Sequence, residues 1–132
     1  MDIFPTIAEI IGIDDSNMTS PIDGISLFPI LNSNIEKRKV KIPFRFKDKG
    51  ALIDKDIKLI ITSLNEMKFE LYNLKNDPKE SNNIANINLD LLLSMTKEYL
   101  EWNKTVNSSI LCEDYVEKFV FDQPESSFWW FD

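Results

Sequence analysis

The sequence contains no histidine and a single cysteine among its 132 residues. Histidine is the commonest general base and the commonest metal ligand, so its absence removes the usual centre of acid-base or metal chemistry. With one cysteine, Cys112, no internal disulfide can form. No apolar run approaches the roughly 18 consecutive residues of a membrane span. Residues 1 to 30 lack the basic start and apolar segment of a signal peptide, so the sequence as it stands predicts a cytoplasmic chain, while the compartment of a longer protein stays unknown.

Positive charge is also scarce. Lysine and arginine number 15 against 22 acidic residues, for a formal net charge of −7. Because phosphate binding needs clustered basic side chains, we expect no nucleic-acid partner. The hydrophobic fraction of 43% and the charged fraction of 28% are ordinary for a globular chain. The length therefore predicts one domain with a modest core.

The chain opens with a pattern typical of short helices. Asp2 is in position to cap a first helix, and Gly12 is in position to end it in the left-handed region. Ser26 is in position to cap a second short helix that runs to Leu31. The apolar residues of the first helix recur at helical spacing, which predicts a stripe that faces the core: Ile3, Ile7, Ile10 and Ile11.

Two adjacent carboxylates, Asp14 and Asp15, follow the first helix. Adjacent acids suggest a metal site, but calcium takes about six to eight oxygen ligands and two neighbours in a loop supply few of them. Aspartate in such a loop more often forms a turn. We therefore expect Asp14 and Asp15, and likewise Asp23 with Gly24, to shape turns.

A strictly alternating segment begins after a polar linker at 32–39. Val40, Ile42, Phe44 and Phe46 alternate with Lys41, Pro43, Arg45 and Lys47, which predicts a strand with an apolar face toward the core and a basic face toward solvent. Pro43 places that strand at a sheet edge or a bulge. Further short strands at 51–53, 57–62 and from residue 69, separated by a turn at 48–50 and another at 54–56, predict an antiparallel meander of four strands.

The segment after the last strand predicts helix. Asp77, Pro78 and Glu80 have the spacing of a capping box with proline at the first helical position. Asn88 is in position to cap a longer helix that ends near Trp102 or Asn103, with its apolar stripe at Leu89, Leu92, Leu93, Tyr99 and Leu100. The predicted fold class is α+β: short N-terminal helices, then a four-stranded antiparallel sheet covered by one C-terminal helix.

Several of these segments, in this order, resemble one family. The string from Glu70 to Ala85 is similar to the Glu-Leu-Tyr-Asp-Leu-x-x-Asp-Pro-x-Glu-x-x-Asn-Leu-Ala signature of the sulfatases, which are formylglycine-dependent, arylsulfatase-like hydrolases of sulfate esters. Further segments resemble the same family: Asp2–Gly12, Asp23–Leu27, Ala51–Ile53 with Lys58–Ile60, and Trp102–Tyr115. The resemblance covers only the C-terminal portion of that family.

The resemblance implies where the chemistry lies. Sulfatases use a formylglycine made from a Cys/Ser-x-Pro-x-Arg motif, together with a calcium ion. Cys112 has Asp114 where that motif has proline, so it is not the modified residue. We therefore expect no catalytic, cofactor-binding or metal-binding residue in this chain, and expect calcium and formylglycine only in a missing N-terminal part. The chain alone is expected to be inactive.

The resemblance also implies a division of the chain. Residues 1–35 correspond to the closing helices of the family's N-terminal α/β domain, 36–116 to its C-terminal subdomain of sheet and helix, and 117–132 form an acidic aromatic tail without a counterpart. The expected partner is that N-terminal domain, and a sulfated substrate only when the domain is present. Arg45 and Lys47 are the predicted substrate contacts, although a solvated basic face is the commoner meaning of such residues.

A second hypothesis comes from a different class of protein. The chain would be a non-catalytic α+β binding module that uses its acidic aromatic tail to dock a partner. The tail would equally suit packing on the core of its own domain. The sequence does not identify a substrate under either hypothesis.

Overall fold

The computed structural model describes residues 1–18, 22–32, 38–111 and 113, without the side chains of residues 15 and 32. Two short helices come first, α1 at Ile3–Ile11 and α2 at Phe28–Asn32, and a long helix comes last, α3 at Leu89–Ile110. Between them lie the strands β1 at Ile42–Phe46, β2 at Lys49–Asp54, β3 at Ile57–Ser63 and β4 at Lys68–Asn73. Short 3-10 helices occupy Asp15–Asn17 and Ala85–Ile87. The predicted α+β class is confirmed.

The four strands form one antiparallel sheet in the order of the sequence. Two-residue turns join β1 to β2 and β2 to β3, and each turn begins with a lysine in the left-handed region, Lys47 and Lys55, both at φ 55°. Such turns match the right-handed twist of the strands. The meander predicted from the alternating pattern is therefore confirmed, although the first turn precedes its predicted position and Gly50 lies inside β2.

The core lies between α3 and one face of the sheet, which we call the inner face. Register places Pro43, Leu52, Leu59 and Leu71 in a row across the four strands, and all four are buried. The helix contributes Met95 and Tyr99, and the Tyr99 side chain has no exposed surface. Burial of apolar side chains such as these accounts for most of the stability of a small sheet.

Tyr99 occupies the space that a side chain at residue 50 would need. A Cβ atom added to Gly50 would lie 2.0 Å from the Tyr99 hydroxyl oxygen and 2.7 Å from the Phe44 carbonyl oxygen. The Tyr99 hydroxyl donates to that carbonyl at 3.3 Å, so its polar atom has a partner. Glycine at position 50 is therefore required for α3 to lie close to the sheet.

The prediction about the two faces of β1 is wrong. Pro43 and Arg45 belong to the inner face, while Phe44 and Phe46 point the opposite way and are exposed. The pairing of Arg45 with Gly50 and of Pro43 with Leu52 continues the rows of the central strands, and this register decides which face is inner.

The predicted capping box at Asp77 is also wrong, because residues 77–80 form a turn. Asp77 does accept backbone hydrogen bonds, but from Ser81 and Asn82, each at 2.7 Å. Glu80 lies in the left-handed region at φ 55°, and its carboxylate accepts from Lys58 at 2.7 Å instead of reaching back to Asp77. A turn thus uses the same polar residues that a helix start would use.

The long helix begins where the pattern predicts and ends later. Asn88 is its N-cap residue, but its side-chain amide donates to the Ile84 carbonyl at 3.3 Å and makes no capping bond. The helix continues past Trp102 to Ile110. Two residues of the predicted stripe, Leu89 and Leu93, are exposed, since the buried side is centred on Met95 and Tyr99. Cys112 and the tail lie outside the described residues.

We expect Gly50→Ala to lower the free energy of unfolding by about 2 kcal/mol, because overpacking a well-filled core costs about 1–3 kcal/mol. The Tyr99 hydroxyl is the nearest atom, so the same change should cost less in a Tyr99→Phe background. Urea denaturation of the two single variants and the double variant measures this coupling. Equal costs of Gly50→Ala in both backgrounds would show that the hydroxyl does not set the constraint.

Candidate functional site

A hydrogen-bonded clamp at Asp2 joins three separate segments. The Asp2 carboxylate accepts from the Ile25 amide at 3.0 Å, and it forms a bidentate ion pair with Arg38, whose second nitrogen lies 3.0 Å away. The hydrogen bond from Arg38 lowers the pKa of Asp2 below its usual 3.8, although partial burial opposes that shift. Asp2 makes no side-chain capping bond to α1. Its predicted role as a helix cap is therefore wrong, and it fixes the start of α1 to the segments at 25 and 38.

Two further contacts reinforce the clamp. The Thr6 hydroxyl donates to the Asp2 carbonyl at 2.6 Å and accepts from the Leu27 amide at 2.9 Å. Gly24 lies so close to the N-terminal residue that an added Cβ would be 2.3 Å from the Met1 carbonyl oxygen. Most of the residues that pack the segment at 23–27 against α1 thus belong to Asp2–Gly12 and Asp23–Leu27, two of the segments on which the resemblance rests.

The loop at Asp23 also contacts the long helix. The Trp102 indole nitrogen donates to the Asp23 carboxylate at 3.0 Å. This hydrogen bond and the Asp2–Arg38 ion pair connect the N-terminal segment to α3 and to the residues just before β1.

The apolar surface that α1 presents is exposed. Its buried residues are Pro5 and Ala8, whereas the side chains predicted to face the core point away from the described residues. Ile3 is 74% exposed. We call this surface the α1 stripe; it comprises Ile3, Phe4, Ile7, Ile10 and Ile11. A contiguous exposed apolar surface of this kind is a candidate contact surface.

A groove of about 840 Å³ lies between α1 and the segment at 22–26, on the side of the helix opposite to the α1 stripe. It is lined by two carboxylates and a larger number of apolar or small residues: Pro5, Glu9, Ile13, Asp14, Met18, Ile22, Gly24, Ile25 and Ser26. Within the described part of the chain, no three acidic, histidine or cysteine side chains lie together in a metal-binding group. Glu9 and Asp14 alone supply too few ligands for calcium. The groove is separate from the α1 stripe and suits packing better than chemistry.

The two predicted substrate contacts lie at the open edge of the sheet. Arg45 donates to the Asn107 side-chain oxygen on α3 at 2.5 Å and to the Lys47 carbonyl at 3.2 Å. The Lys47 ammonium lies 5.8 Å from the centre of the Phe46 ring. The structure brings Arg45 and Lys47 together at the end of β1, and their contact with substrate stays a prediction.

Sequence reasoning misses Arg38 of the clamp and the contact of Trp102 with Asp23. Arg38 falls in the polar segment at 32–39 that predicts a linker, and Trp102 lies near the predicted end of a helix. The residue types were the signal that could have found these contacts. Arginine suits a bidentate pair with a carboxylate, and the N–H of a packed tryptophan needs an acceptor.

Across the described segments, no helix is long and apolar enough to cross a membrane.

No protein-family model matches the sequence, and no curated protein matches it either. Solved structures share its fold. Ps i-CgsB in complex with k-i-k-neocarrahexaose is 23% identical, with a TM-score of 0.60, and the match covers 89% of this chain and 29% of that chain. Ps i-CgsB itself is 23% identical, with a TM-score of 0.61 and the same coverage of 89% and 29%.

A further match comes from Bacteroides thetaiotaomicron, from a core genetic locus for the metabolism of multiple glycosaminoglycans. It is 22% identical, with a TM-score of 0.61, and the match covers 79% of this chain and 24% of that chain. These neighbours are sulfatase structures. The chain therefore shares the fold of one part of these structures and spans less than a third of their length.

The clamp predicts a dependence of stability on pH. Since the folded-state pKa of Asp2 lies below 3.8, its contribution is complete above that pH and is lost as the pH falls through the folded-state pKa. We expect Asp2→Asn to lower the free energy of unfolding by about 1 kcal/mol at pH 7. The difference from the wild type should shrink in acid.

Urea denaturation across this pH range measures the effect. Glu9→Gln is the matched control, because Glu9 lies on the same helix and is exposed. A Glu9 variant as destabilised as Asp2→Asn, or a difference for Asp2→Asn that persists unchanged in acid, would contradict the assignment of the clamp.

Proposed function

We propose that this chain is the C-terminal part of a formylglycine-dependent, arylsulfatase-like sulfatase, and that it takes part in sulfate ester hydrolysis only together with an N-terminal α/β domain. The fold likeness carries this proposal, because it covers 89% of this chain and 29% of a sulfatase chain. The sequence signature supports it independently, because Glu70–Ala85 resembles the signature of the sulfatases. In this structure the segment comprises the second half of β4 and the loop that returns to the strand. A fold shared at low identity and a motif in register point to the same family.

The reactive groups would come from that N-terminal domain. The sequence contains no histidine, and its one cysteine lacks the proline that the formylglycine motif requires two residues later. Formylglycine would supply the nucleophile that attacks sulfur, and calcium would bind the sulfate group. This chain would contribute packing and part of the rim of the site.

The α1 stripe is the surface that we assign to contact with the N-terminal domain. The ion pair at Asp2 and the Trp102 contact hold α1 in place, so the stripe is presented ready to pack. Binding of a pre-formed surface loses little conformational entropy.

Arg45 and Lys47 would serve the substrate at the rim of the site. Arg45 lies near the end of β1 and Lys47 in the turn that follows, and a cationic side chain attracts a sulfate ester. The bond from Arg45 to Asn107 holds the guanidinium in place, as recognition of a planar or tetrahedral anion requires.

The alternative function, a binding module without catalysis, needs the isolated chain to capture a partner through its tail.

We expect the purified chain to release no sulfate from an aryl sulfate, with or without calcium, because it lacks the nucleophile. Co-expression with the polypeptide encoded directly upstream should restore release, and that polypeptide should contain Cys/Ser-x-Pro-x-Arg. Ion chromatography of free sulfate measures both outcomes. Turnover by the chain alone would contradict the proposed division of labour, and unrelated upstream sequence would contradict the family.

Ile7→Asp should abolish association with the upstream polypeptide, because it puts a charge in the middle of the α1 stripe. The free energy of unfolding of the sheet should change little, since Ile7 is exposed. Leu93→Asp is the matched control, an exposed leucine on α3, far from the stripe in the sequence. Co-purification and gel filtration measure association. Loss of binding in both variants, or in neither, would contradict the role of the stripe.

A further inference from the structure

The face of the sheet opposite to α3 carries a second apolar surface. Register aligns Phe44 with Ala51 and Ala51 with Ile60, and it aligns Ile42 with Ile53 in the neighbouring row. We call this surface the outer patch; it comprises Ile42, Phe44, Phe46, Ala51, Ile53 and Ile60. Phe46 is 66% exposed, and Phe44 is half exposed.

The described helices that pack on the sheet lie on the other side. Met95 and Tyr99 of α3 and Ala85 of the second 3-10 helix belong to one cluster with Leu59 and Leu71 of the inner face. The half of the outer face near β4 is polar, with Lys58 paired to Glu80 and Tyr72 bonded to Glu70. The apolar half near β1 is therefore the part of the sheet that needs an occupant.

The chain leaves α3 beside this half of the sheet. Asn107, in the last turn of the helix, contacts Arg45 on β1, and β1 is an edge strand. The 19 residues that follow residue 113 span up to about 60 Å when extended. The distance around one edge strand is on the order of 10 Å. The segment 117–132 is thus tethered within easy reach of the outer patch.

The composition of this segment complements the patch. It holds six aromatic residues, which would bury their rings against Phe44 and Phe46: Phe119, Phe121, Phe128, Trp129, Trp130 and Phe131. It also holds four acidic residues and one lysine. Lys49, the first residue of β2, pairs in register with Phe46, so opposite charges would meet at the border of an apolar contact.

We propose that the acidic aromatic tail, residues 117–132, binds the outer patch of its own chain and covers Phe44 and Phe46. The contact is intramolecular, so the tail acts at a high effective concentration and needs little affinity of its own. The proposal is independent of the proposed function, because the α1 stripe and not the outer patch is assigned to the N-terminal domain.

Tryptophan fluorescence tests the proposal in the full chain. The sequence has three tryptophans, and two of them, Trp129 and Trp130, lie in the tail. In a Trp102→Phe background all emission comes from the tail. We expect emission shifted to the blue, and acrylamide quenching several-fold weaker than for a synthetic peptide of residues 117–132. Quenching equal to that of the free peptide would overturn the proposal.

A matched pair of variants locates the contact. In the same background, Phe46→Ser should raise quenching toward the value of the peptide, while Leu93→Ser should not, although both side chains are 66% exposed. Phe44→Ser replaces Phe46→Ser if circular dichroism shows that the latter is unfolded. Equal effects of Phe46→Ser and Leu93→Ser would overturn the assignment of the patch.

The dependence of quenching on protein concentration distinguishes binding of the tail within one chain from binding of the tail to a second copy. Protection that grows with protein concentration, together with a dimer in light scattering, would mean that the tail binds a second copy and would overturn the intramolecular contact. Protection that is constant over the same range, in a monomer, supports it. Neither result depends on sulfatase activity, so failure here leaves the proposed function intact.

Discussion

In the described part of the chain, α3 is the helix that covers the inner face of the sheet, and the close approach of Tyr99 to Gly50 makes that coverage possible. The Tyr99 ring lies where any larger residue at position 50 would lie, and its hydroxyl has a backbone acceptor on β1. Burial raises the pKa of Tyr99, although the charge of Arg45 opposes the shift, so the hydroxyl stays neutral and able to donate. With α3 fixed in this way, the inner face is covered, and the helices of the described residues leave the opposite face open.

The sequence signature that resembles the sulfatases has a structural explanation in this fold. Asn83 accepts hydrogen bonds from the Leu71 amide at 3.1 Å and the Ala85 amide at 2.9 Å, and the Ile84 amide donates to the Leu71 carbonyl at 2.8 Å. These bonds return the loop after β4 to the strand that it left, and Asp77 closes the turn between them. The motif therefore specifies a strand and its returning loop. This is why it can identify a fold without carrying any reactive group.

The same physical reasoning explains what sequence analysis could and could not predict. Alternation of apolar and polar residues is a property of each strand, so the meander was predictable, as was the helix that begins after Asn88. The face of β1 was not, because hydrophobicity alone favours Phe44 and Phe46 for the core, whereas the pairing of Pro43 with Leu52 and of Arg45 with Gly50 decides which face is inner. The Asp77 motif was ambiguous, since a turn and a helix start satisfy backbone amides with the same side chains. Arg38 was missed because its partner lies 36 residues away.

The apolar surfaces left by this arrangement differ in the way they are held. The α1 stripe sits on a helix of nine residues, too short to be stable in isolation, and its orientation comes from Asp2, Thr6 and the loop at 23–27. An apolar helix that is fixed by polar contacts at its start can pack on a partner without first being ordered. The outer patch belongs to a sheet that is already stabilised from its other side. A contact there needs no change in the sheet, which makes the patch suited to a tethered segment, while the stripe is suited to a second folded body.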